Sequence, residues 1–150
     1  MILWIAAAIV FALDRITKHA ITASYFPGES RIAIPHLLWW TYVQNPHGAF
    51  GLFGSQPWLL IILALVVLIF FALAFRDAAR QSRLVRIAFG GIVGGAAGNI
   101  ADRLHQPFVV DFIDFKTIWP FVFNVADSCI TIGVFLLILS SMRREKTATS

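Results

Sequence analysis

Long apolar runs alternate with short polar segments along this chain, and each run is about as long as a membrane-crossing helix. A crossing takes roughly 20 mainly apolar residues, with about 17 to 25 tolerated. Four segments meet this requirement: residues 1–20, 58–75, 84–101 and 121–139. The first lacks the basic start and the small-residue cleavage site of a signal peptide, so we expect it to be retained. The pattern predicts a mainly α fold, a four-transmembrane-helix bundle that forms a single integral membrane domain over 1–150.

Composition and charge agree with a membrane protein. Hydrophobic residues make up 59% of the chain and charged residues 13%, whereas a soluble domain is roughly half apolar and a quarter charged. The formal net charge is +4, but the basic residues lie between apolar runs, so they indicate membrane topology rather than nucleic-acid binding. The single cysteine, Cys129, excludes an internal disulfide.

Basic residues predict the orientation of the bundle, because short loops rich in Lys and Arg stay in the cytoplasm. Two segments are basic. The link over 76–83 and the start of the next run carry Arg76, Arg80, Arg83 and Arg86 against only Asp77, and the tail over 140–150 carries Arg143, Arg144 and Lys146 against Glu145. We expect this link, this tail and both termini to be cytoplasmic. The loops over 21–57 and 102–120 are then extracytoplasmic.

The first extracytoplasmic loop has a strand-like segment. Residues 31–43 are rich in aromatic and β-branched side chains, which favour strands. Trp39, Trp40 and Tyr42 also suit the headgroup region, where amphipathic rings settle. Residues 45–57 are rich in glycine and proline, which predicts a loop. We therefore expect a small β-sheet, a β-cradle, between the first two helices at the membrane surface.

Glycines recur at every fourth residue of the third apolar run. Gly90, Gly94 and Gly98 form one stripe, and Gly91 and Gly95 form a second beside it. Small residues at this spacing let two helix backbones approach closely in lipid. The stripes predict a packing face that holds the polar residues after them rigidly against neighbouring helices.

Aspartates cluster at the predicted outer ends of the helices. A charged group at the bilayer centre costs about 2.5–3.5 kcal/mol on insertion scales, so intramembrane acids are functional candidates. Asp127 is the sharpest candidate, because apolar sequence follows it and Asn124 lies three residues earlier on the same helix face. Asn99 and Asp102 repeat that spacing. The full set of acids at this end is Asp14, Asp102, Asp111, Asp114 and Asp127.

We expect Asp102, Asp111 and Asp127 to share one pocket. Two carboxylates a few ångströms apart do not ionise together easily, so such a pair shares a proton. The ionised member can take a proton from water while the protonated member hydrogen-bonds the scissile carbonyl, and nearby asparagines can orient both without adding charge. This machinery hydrolyses a peptide bond with no covalent enzyme intermediate, no cofactor and no metal.

Structural roles for the same charges are open alternatives. They are an ion pair of Asp102 with Arg103, a cap or ion pair of Asp14 with Arg15 and Lys18, and a solvated loop charge at Asp114 beside Lys116. The four histidines lack the spacing of a zinc motif, and Cys129 has no apparent histidine partner for nucleophilic catalysis.

Three other function classes compete with an aspartic peptidase. The first is a small membrane transporter or proton-relay subunit that uses the intramembrane aspartates, although the chain has no internal repeat. The second is a metal-dependent membrane hydrolase with carboxylate ligands. The third is a non-catalytic assembly subunit bound through its glycine face.

Five polar blocks follow one another along the chain. They are residues 11–18 (Phe-Ala-Leu-Asp-Arg-Ile-Thr-Lys), 44–51 (Gln-Asn-Pro-His-Gly-Ala-Phe-Gly), 94–103 (Gly-Gly-Ala-Ala-Gly-Asn-Ile-Ala-Asp-Arg), 110–115 (Val-Asp-Phe-Ile-Asp-Phe) and 123–128 (Phe-Asn-Val-Ala-Asp-Ser). In this order, and up to about residue 140, the chain resembles bacterial lipoprotein signal peptidases (signal peptidase II). In that family the second block usually reads Asn-x-Gly, whereas here His47 stands at the glycine position and Gly48 follows, so we expect a re-shaped loop.

The resemblance implies an aspartic endopeptidase that removes signal peptides from prolipoproteins, cleaving just before a cysteine that carries a diacylglyceryl group. It implies Asp111 and Asp127 as the catalytic pair. Supporting or substrate-binding positions fall on Asp14, Lys18, Asn45, Asn99, Asp102, Arg103 and Asn124. The implied partners are the prolipoprotein, membrane lipids and globomycin-type inhibitors. The implied location is the bacterial cytoplasmic (inner) membrane, as a monomer, with the active site near the outer leaflet.

Overall fold

Five helices and four strands make up the part of the chain that the structure, a computed structural model, describes: residues 1–48 and 56–148, without the side chains of Gln81 and 143–148. In chain order they are α1 (Ile2–Ser24), β1 (Ser30–Ile34), β2 (Leu38–Asn45), α2 (Pro57–Ala74), α3 (Arg76–Gln81), α4 (Arg83–His105), β3 (Val109–Asp114), β4 (Val122–Phe123) and α5 (Val125–Ala148). The predicted mainly helical fold with a small antiparallel sheet is confirmed. Most of the predicted loop over 45–57 lies outside the described residues.

Helix α4 lies at the centre of the bundle, with α1, α5 and α2 packed against it. Its glycines allow this close packing. A Cβ added at Gly90 would lie 2.5 Å from the carbonyl oxygen of Leu3, and one added at Gly95 would lie 2.6 Å from that of Ala126. One glycine stripe therefore faces α1 and the other faces α5, which confirms the predicted packing face.

Three helices of the described chain are long and apolar enough to cross a membrane. They are Pro57–Ala74, Arg83–His105 and Val125–Met142, with mean hydropathies of 3.0, 1.4 and 2.0. The predicted first span is not among them: α1 has 23 residues, but Asp14, Arg15 and Lys18 interrupt its apolar sequence.

The sheet has the strand order β1-β2-β3-β4, and every neighbouring pair is antiparallel. Strands β1 and β2 form the hairpin expected between the first two helices. The segment between the third and fourth apolar runs, for which no strand was predicted, contributes β3 and β4 to the sheet. Val109, Val110, Phe112 and Ile113 favour a strand, and pairing with β2 satisfies backbone groups that a free sheet edge would leave open.

The helices also extend beyond the predicted apolar runs, because polar residues continue them. Helix α1 ends at Ser24, α4 at His105 and α5 at Ala148. The link predicted over 76–83 contains the short helix α3, and most of the predicted tail belongs to α5. The apolar pattern therefore located each long helix but not its ends.

A buried cluster of Ile21, Tyr42, Val110 and Phe112 joins α1 to the sheet. Burial of an apolar side chain of this size stabilises a fold by about 1.5–3 kcal/mol. The cluster therefore fixes β3 against the end of the bundle, and it fixes the position of Asp111, which lies between two of its members.

Candidate active site

Strand β3 presents Asp111 on the face opposite the cluster, because side chains alternate along a strand and both neighbours point into the core. Asp111 is nevertheless only 2% exposed. Its two carboxylate oxygens each accept a hydrogen bond from an asparagine amide, from Asn45 at 2.8 Å and from Asn124 at 2.7 Å. Strand β3 thus positions a buried carboxylate, and hydrogen bonds to both of its oxygens fix its orientation.

Asp127 lies in the first turn of α5, where a reciprocal capping interaction fixes it. The backbone N–H of Asp127 donates to Asn124 Oδ1 at 2.9 Å, and the backbone N–H of Asn124 donates to Asp127 Oδ2 at 3.3 Å. This is the geometry of a capping box, which satisfies two open donors at a helix start. The other carboxylate oxygen of Asp127 accepts from Asn99 Nδ2 at 2.8 Å.

Asn124 connects the two carboxylates. Its amide nitrogen reaches Asp111, its carbonyl oxygen accepts from the Asp127 backbone, and the same nitrogen lies 3.2 Å from Asn99 Oδ1. Asn124 is fully buried. Two neutral amides, one from α4 and one from the start of α5, therefore orient both carboxylates without adding charge.

Behind this pair lies a buried lysine, Lys18, which is 2% exposed. Its Nζ lies 2.8 Å from Asp14 Oδ2, 2.8 Å from Asp102 Oδ2 and 2.9 Å from Asn99 Oδ1. An ammonium group has three donors, and here three oxygens surround it. Lys18 therefore connects two supporting aspartates to the asparagine that holds Asp127.

Asp102 has a structural role in this arrangement. Its carboxylate pairs with Arg15 and Lys18, both from α1, and accepts from the backbone N–H of Val110 at 3.3 Å. The alternative pairing with Arg103 is wrong, because adjacent helix residues point about 100° apart and Arg103 faces the cleft described below. Asp102 was expected in the same pocket as the two central acids, but it lies behind them and does not line that cleft.

Asp14 forms the ion pair with Lys18 that was considered for it, whereas Arg15 pairs with Asp102 instead, and the helix start that Asp14 caps is that of α5. Asp14 pairs with Lys18 one turn along α1, and its Oδ1 accepts from the backbone N–H of Ala126 at 3.0 Å. That N–H belongs to the first turn of α5, where a carboxylate is favoured by the helix dipole. The carboxylate of Asp14 occupies the space that a side chain at Gly98 would need.

Asp114 does not belong to this group, and the expectation of a solvated loop charge is wrong. It is 6% exposed and lies at the end of β3, three residues from Asp111 and so on the opposite face. Its carboxylate accepts from Thr41 Oγ1 at 2.6 Å and lies 3.9 Å from Lys116 Nζ. The hydroxyl of Thr41 was not predicted as a partner, because the pairing of β2 with β3 is a long-range contact.

A cleft of about 1030 Å³ opens over Asp111 and Asp127. The other polar residues that line it are Asn45, His47, Asn99, Arg103, Ser128 and Thr131. The rest of the wall is mainly apolar and includes Phe115, Trp119, Phe121, Phe123, Ile130 and Ile132. No sequence signal distinguishes these wall residues, because aromatic and aliphatic side chains are common throughout a membrane protein.

The turn after β2 holds Asn45 against the cleft. Asn45 Oδ1 accepts from the backbone N–H of His47 at 3.1 Å, which is the hydrogen bond of an Asx turn. The positive φ falls on the next residue, Gly48, at +70°, where a Cβ would lie 3.2 Å from Leu60. The positive φ that favours glycine thus occurs at Gly48, one residue after His47, which stands at the glycine position of the family pattern.

Burial and charge determine the protonation of Asp111. Burial raises the pKa of Asp111 most, and the neighbouring negative charge of Asp127 raises it further, to about 7. The amide donors of Asn45 and Asn124 and the charge of Lys18 act in the opposite direction. A carboxyl group with this pKa can hold or release a proton near neutral pH, as general acid–base chemistry requires.

One buried and one half-buried carboxylate, both oriented by amides and lining one cleft of a helical membrane protein, define the class of an intramembrane aspartic hydrolase. Sequence comparison agrees: the family model described as Signal peptidase (SPase) II matches residues 6–143. The chain belongs to the signal peptidase II family, and it is accordingly an aspartic peptidase. The resemblance drawn from the five polar blocks is confirmed.

Individual relatives are similar over nearly the whole chain. The lipoprotein signal peptidase of Desulfitobacterium hafniense is 43% identical over 146 residues, which cover 97% of this chain and 96% of its own. That of Syntrophomonas wolfei is 42% identical over 149 residues, covering 97% and 98%. Among solved structures, a bacterial membrane enzyme superposes with a TM-score of 0.86 at 32% identity, covering 95% of this chain and 88% of its own.

Proposed function

We propose that this chain removes signal peptides from diacylglyceryl-modified prolipoproteins, cleaving immediately before the lipidated cysteine. Membership of the signal peptidase II family supports the reaction and the substrate class. The observation that carries the catalytic assignment is that Asp111 and Asp127 line one cleft and are both hydrogen-bonded by Asn124.

In the proposed mechanism the two carboxyl groups share one proton and activate one water. The raised pKa of Asp111 supports this group as the one that holds the proton at neutral pH. Ionised Asp127 takes a proton from the water as it attacks the scissile carbonyl, and Asp111 donates its proton to the carbonyl oxygen. The resulting tetrahedral intermediate collapses when the proton on Asp127 passes to the leaving amine and a hydroxyl of the intermediate returns its proton to Asp111, which regenerates the pair.

The chemistry of the cleft walls is suited to a lipidated peptide substrate. Its polar end carries the two acids, and its apolar wall offers a surface for the signal peptide and the lipid-bearing residue. Arg103 Nη1 donates to the carbonyl oxygen of Asn99 at 3.2 Å within its own helix, so other donors of its guanidinium are directed at the cleft. They are suited to peptide carbonyls of a bound chain. A globomycin-type peptide would compete for the same space.

We further propose α1 as a fourth membrane span. Its 23 residues extend about 34 Å, enough for a hydrocarbon core of about 30 Å. Asp14 and Lys18 are buried and paired inside the protein, whereas the outer face carries exposed apolar residues such as Trp4, Ile9 and Ile16. Charged residues that face a bundle interior and pair with each other are compatible with a span.

The orientation follows from the basic residues at the other end of the bundle. The active-site residues gather where α1 and α4 end and α5 begins, whereas the arginine-rich link lies between α2 and α4. By the positive-inside rule this link, the tail and both termini are cytoplasmic, and the cleft lies near the outer leaflet of the bacterial inner membrane. We propose that the chain works there as a monomeric, single-domain enzyme.

The direct test is cleavage of a purified diacylglyceryl-modified precursor, followed as a gel shift with and without globomycin. Asp111→Asn and Asp127→Asn should each lower turnover by at least about 10²-fold and remain folded. Asp114→Asn is the matched control, because this acid is buried in the same strand but lies on the opposite face, and it should keep its turnover. Normal turnover by either of the first two variants would refute the assignment of the pair.

A further inference from the structure

A second cavity, of about 550 Å³, lies at the end of the bundle opposite the active-site cleft. It is formed where the start of α1 meets α2, α3 and the start of α4. Its walls combine three arginines with large apolar side chains: Arg76, Arg80, Arg86, Trp4, Phe71, Phe75 and Phe89. The peptidase reaction uses none of these residues.

The positive charge of this cavity is only partly compensated by the described residues. Asp77 is the acid in its ion pairs, and it lies 3.9 Å from Arg76 and 3.8 Å from Arg80. All three side chains are well exposed, at 65% to 78%. The Asp77 carboxylate therefore interacts with two guanidinium groups over long distances in solvent. Among the described ion pairs, none joins Arg86 to Asp77.

The side chain of Arg86 has an unsatisfied hydrogen-bond donor. Its Nε is buried and has no hydrogen-bond partner among the described residues. A buried donor without an acceptor is costly, and a charged one more so. A site of this kind calls for an anionic acceptor, and guanidinium groups match the oxygens of a phosphate group well.

The apolar walls indicate what the anion is attached to. Phe71 and Phe75 stack with their ring centroids 5.9 Å apart, and Trp4 is 68% exposed at the rim. These walls continue into the exposed apolar faces of α1 and α2, where the membrane lies. A free phosphate would gain nothing from them, whereas a phospholipid would place its headgroup on the arginines and its acyl chains along the helices.

We propose that this cavity, named here the arginine cavity, binds the phosphate of an anionic membrane phospholipid. Basic pockets between transmembrane helices are suited to such headgroups. The bound lipid would fill the space between α1, α3 and α4 and supply the acceptor that Arg86 lacks. The site is separate from the cleft, so its occupancy does not depend on the proposed peptidase function.

The test is native mass spectrometry of the purified protein released from nanodiscs that hold equal amounts of phosphatidylglycerol and phosphatidylcholine with the same acyl chains. The wild type should retain one phosphatidylglycerol, preferred over phosphatidylcholine by about tenfold or more. Arg86→Gln should lower this preference by about tenfold. Arg80→Gln should lower it too, and because the Arg80 side chain is 68% exposed, this variant separates loss of lipid binding from loss of folding.

Arg83→Gln is the matched control, because Arg83 is exposed in the same link and does not line the cavity. It should change the preference by less than about twofold. Equal retention of both lipids by the wild type would overturn the proposal, as would equal losses in the Arg83 and Arg86 variants. Displacement of the lipid by millimolar inorganic phosphate would also overturn it, since the site would then be a free-anion site.

Discussion

Asn124 and Asp127 hold each other at the start of α5 through two backbone-to-side-chain hydrogen bonds, of 2.9 and 3.3 Å. The same Asn124 side chain donates to Asp111 across the cleft at 2.7 Å. The cap that begins α5 and the orientation of the proposed catalytic pair therefore depend on one residue. Asn124 therefore affects both the stability of the start of α5 and the reactivity of the site. Different substitutions of Asn124 can change one of these properties without the other.

Substitution of Asn124 should separate these two effects. Asn124→Ala removes both the cap and the hydrogen bond to Asp111, so the free energy of unfolding should fall by about 1 kcal/mol or more and turnover by about 10- to 10²-fold. Asn124→Ser retains a good N-cap residue but is too short to reach Asp111. It should recover stability in denaturant unfolding without recovering turnover of a lipidated precursor. Full activity of the serine variant would show that the contact with Asp111 is dispensable.

Asp111→Asn should change how stability depends on pH. Folding raises the pKa of Asp111 from its ordinary value of 3.8 to about 7, so the folded chain keeps a proton that the unfolded chain releases. The stabilisation by this carboxyl group is complete below about pH 4 and is lost as the pH rises to about 7. The variant lacks this loss, so its stability relative to wild type should rise across that window by a few kcal/mol, on the order of 1.4 per pKa unit.

Unfolding of both proteins in micelles, measured at intervals from pH 4 to pH 8, gives this difference directly. Asparagine can accept only one of the two amide hydrogen bonds at this position, which adds a pH-independent offset in favour of the wild type. A difference that stays flat from pH 4 to pH 8 would contradict the raised pKa of Asp111.

Asn45→Ala should move the pH profile of cleavage. The Asn45 amide stabilises ionised Asp111 and lowers its pKa, so its removal should raise that pKa. Because the alkaline limb of kcat/KM reports loss of the shared proton, this limb should shift to higher pH. Gln44→Ala is the matched control, since the Gln44 amide contacts the Tyr42 hydroxyl instead. Identical limbs in wild type and in the Asn45 variant would argue against proton sharing at Asp111.

Two glycines of α4, Gly91 and Gly98, should respond differently to alanine. A Cβ at Gly98 would collide with the carboxylate of Asp14, whereas one at Gly91 would meet only the carbonyl oxygen of Cys129, at 3.7 Å. Gly91→Ala should be neutral or stabilising by up to about 1 kcal/mol, the helix-propensity gain. Gly98→Ala should destabilise by about 1–3 kcal/mol through overpacking and lower turnover, as measured by thermal unfolding and precursor cleavage. Equal tolerance of both would mean that Asp14 can move without consequence.

The sequence predicts those parts of the structure that depend on interactions between residues close together in the chain. The apolar runs predicted the helices, and the four-residue glycine spacing predicted the face along which α4 packs, because both signals are local. The strand-forming residues 31–43 likewise predicted the β1–β2 hairpin. Strand β3 was missed: its residues favour a strand, but its partner β2 lies more than 60 positions earlier in the chain.

The candidate site shows the same limit. Asp111, Asp127 and the two central asparagines stood out as polar residues in apolar surroundings. Which cation pairs with Asp102 could not be predicted, since Arg103 is adjacent in sequence while Arg15 and Lys18 are brought to it by the packing of α1 on α4. The burial of Asp114 depends in the same way on Thr41 of another strand.

Lys18→Met should be the most destabilising single change in the polar cluster behind the site. It leaves Asp14 and Asp102 buried without the cation between them, and breaking a buried pair costs about 3–5 kcal/mol. Arg15→Gln is the matched comparison, because Arg15 pairs with the same Asp102 but its side chain is 41% exposed, where ion pairs contribute only about 0–1 kcal/mol. Adding Asp14→Asn to the lysine variant should recover part of the lost stability, since one uncompensated charge is removed. Denaturant unfolding of the single and double variants measures this coupling, and strictly additive losses would mean that Lys18 and Asp14 do not act as a pair.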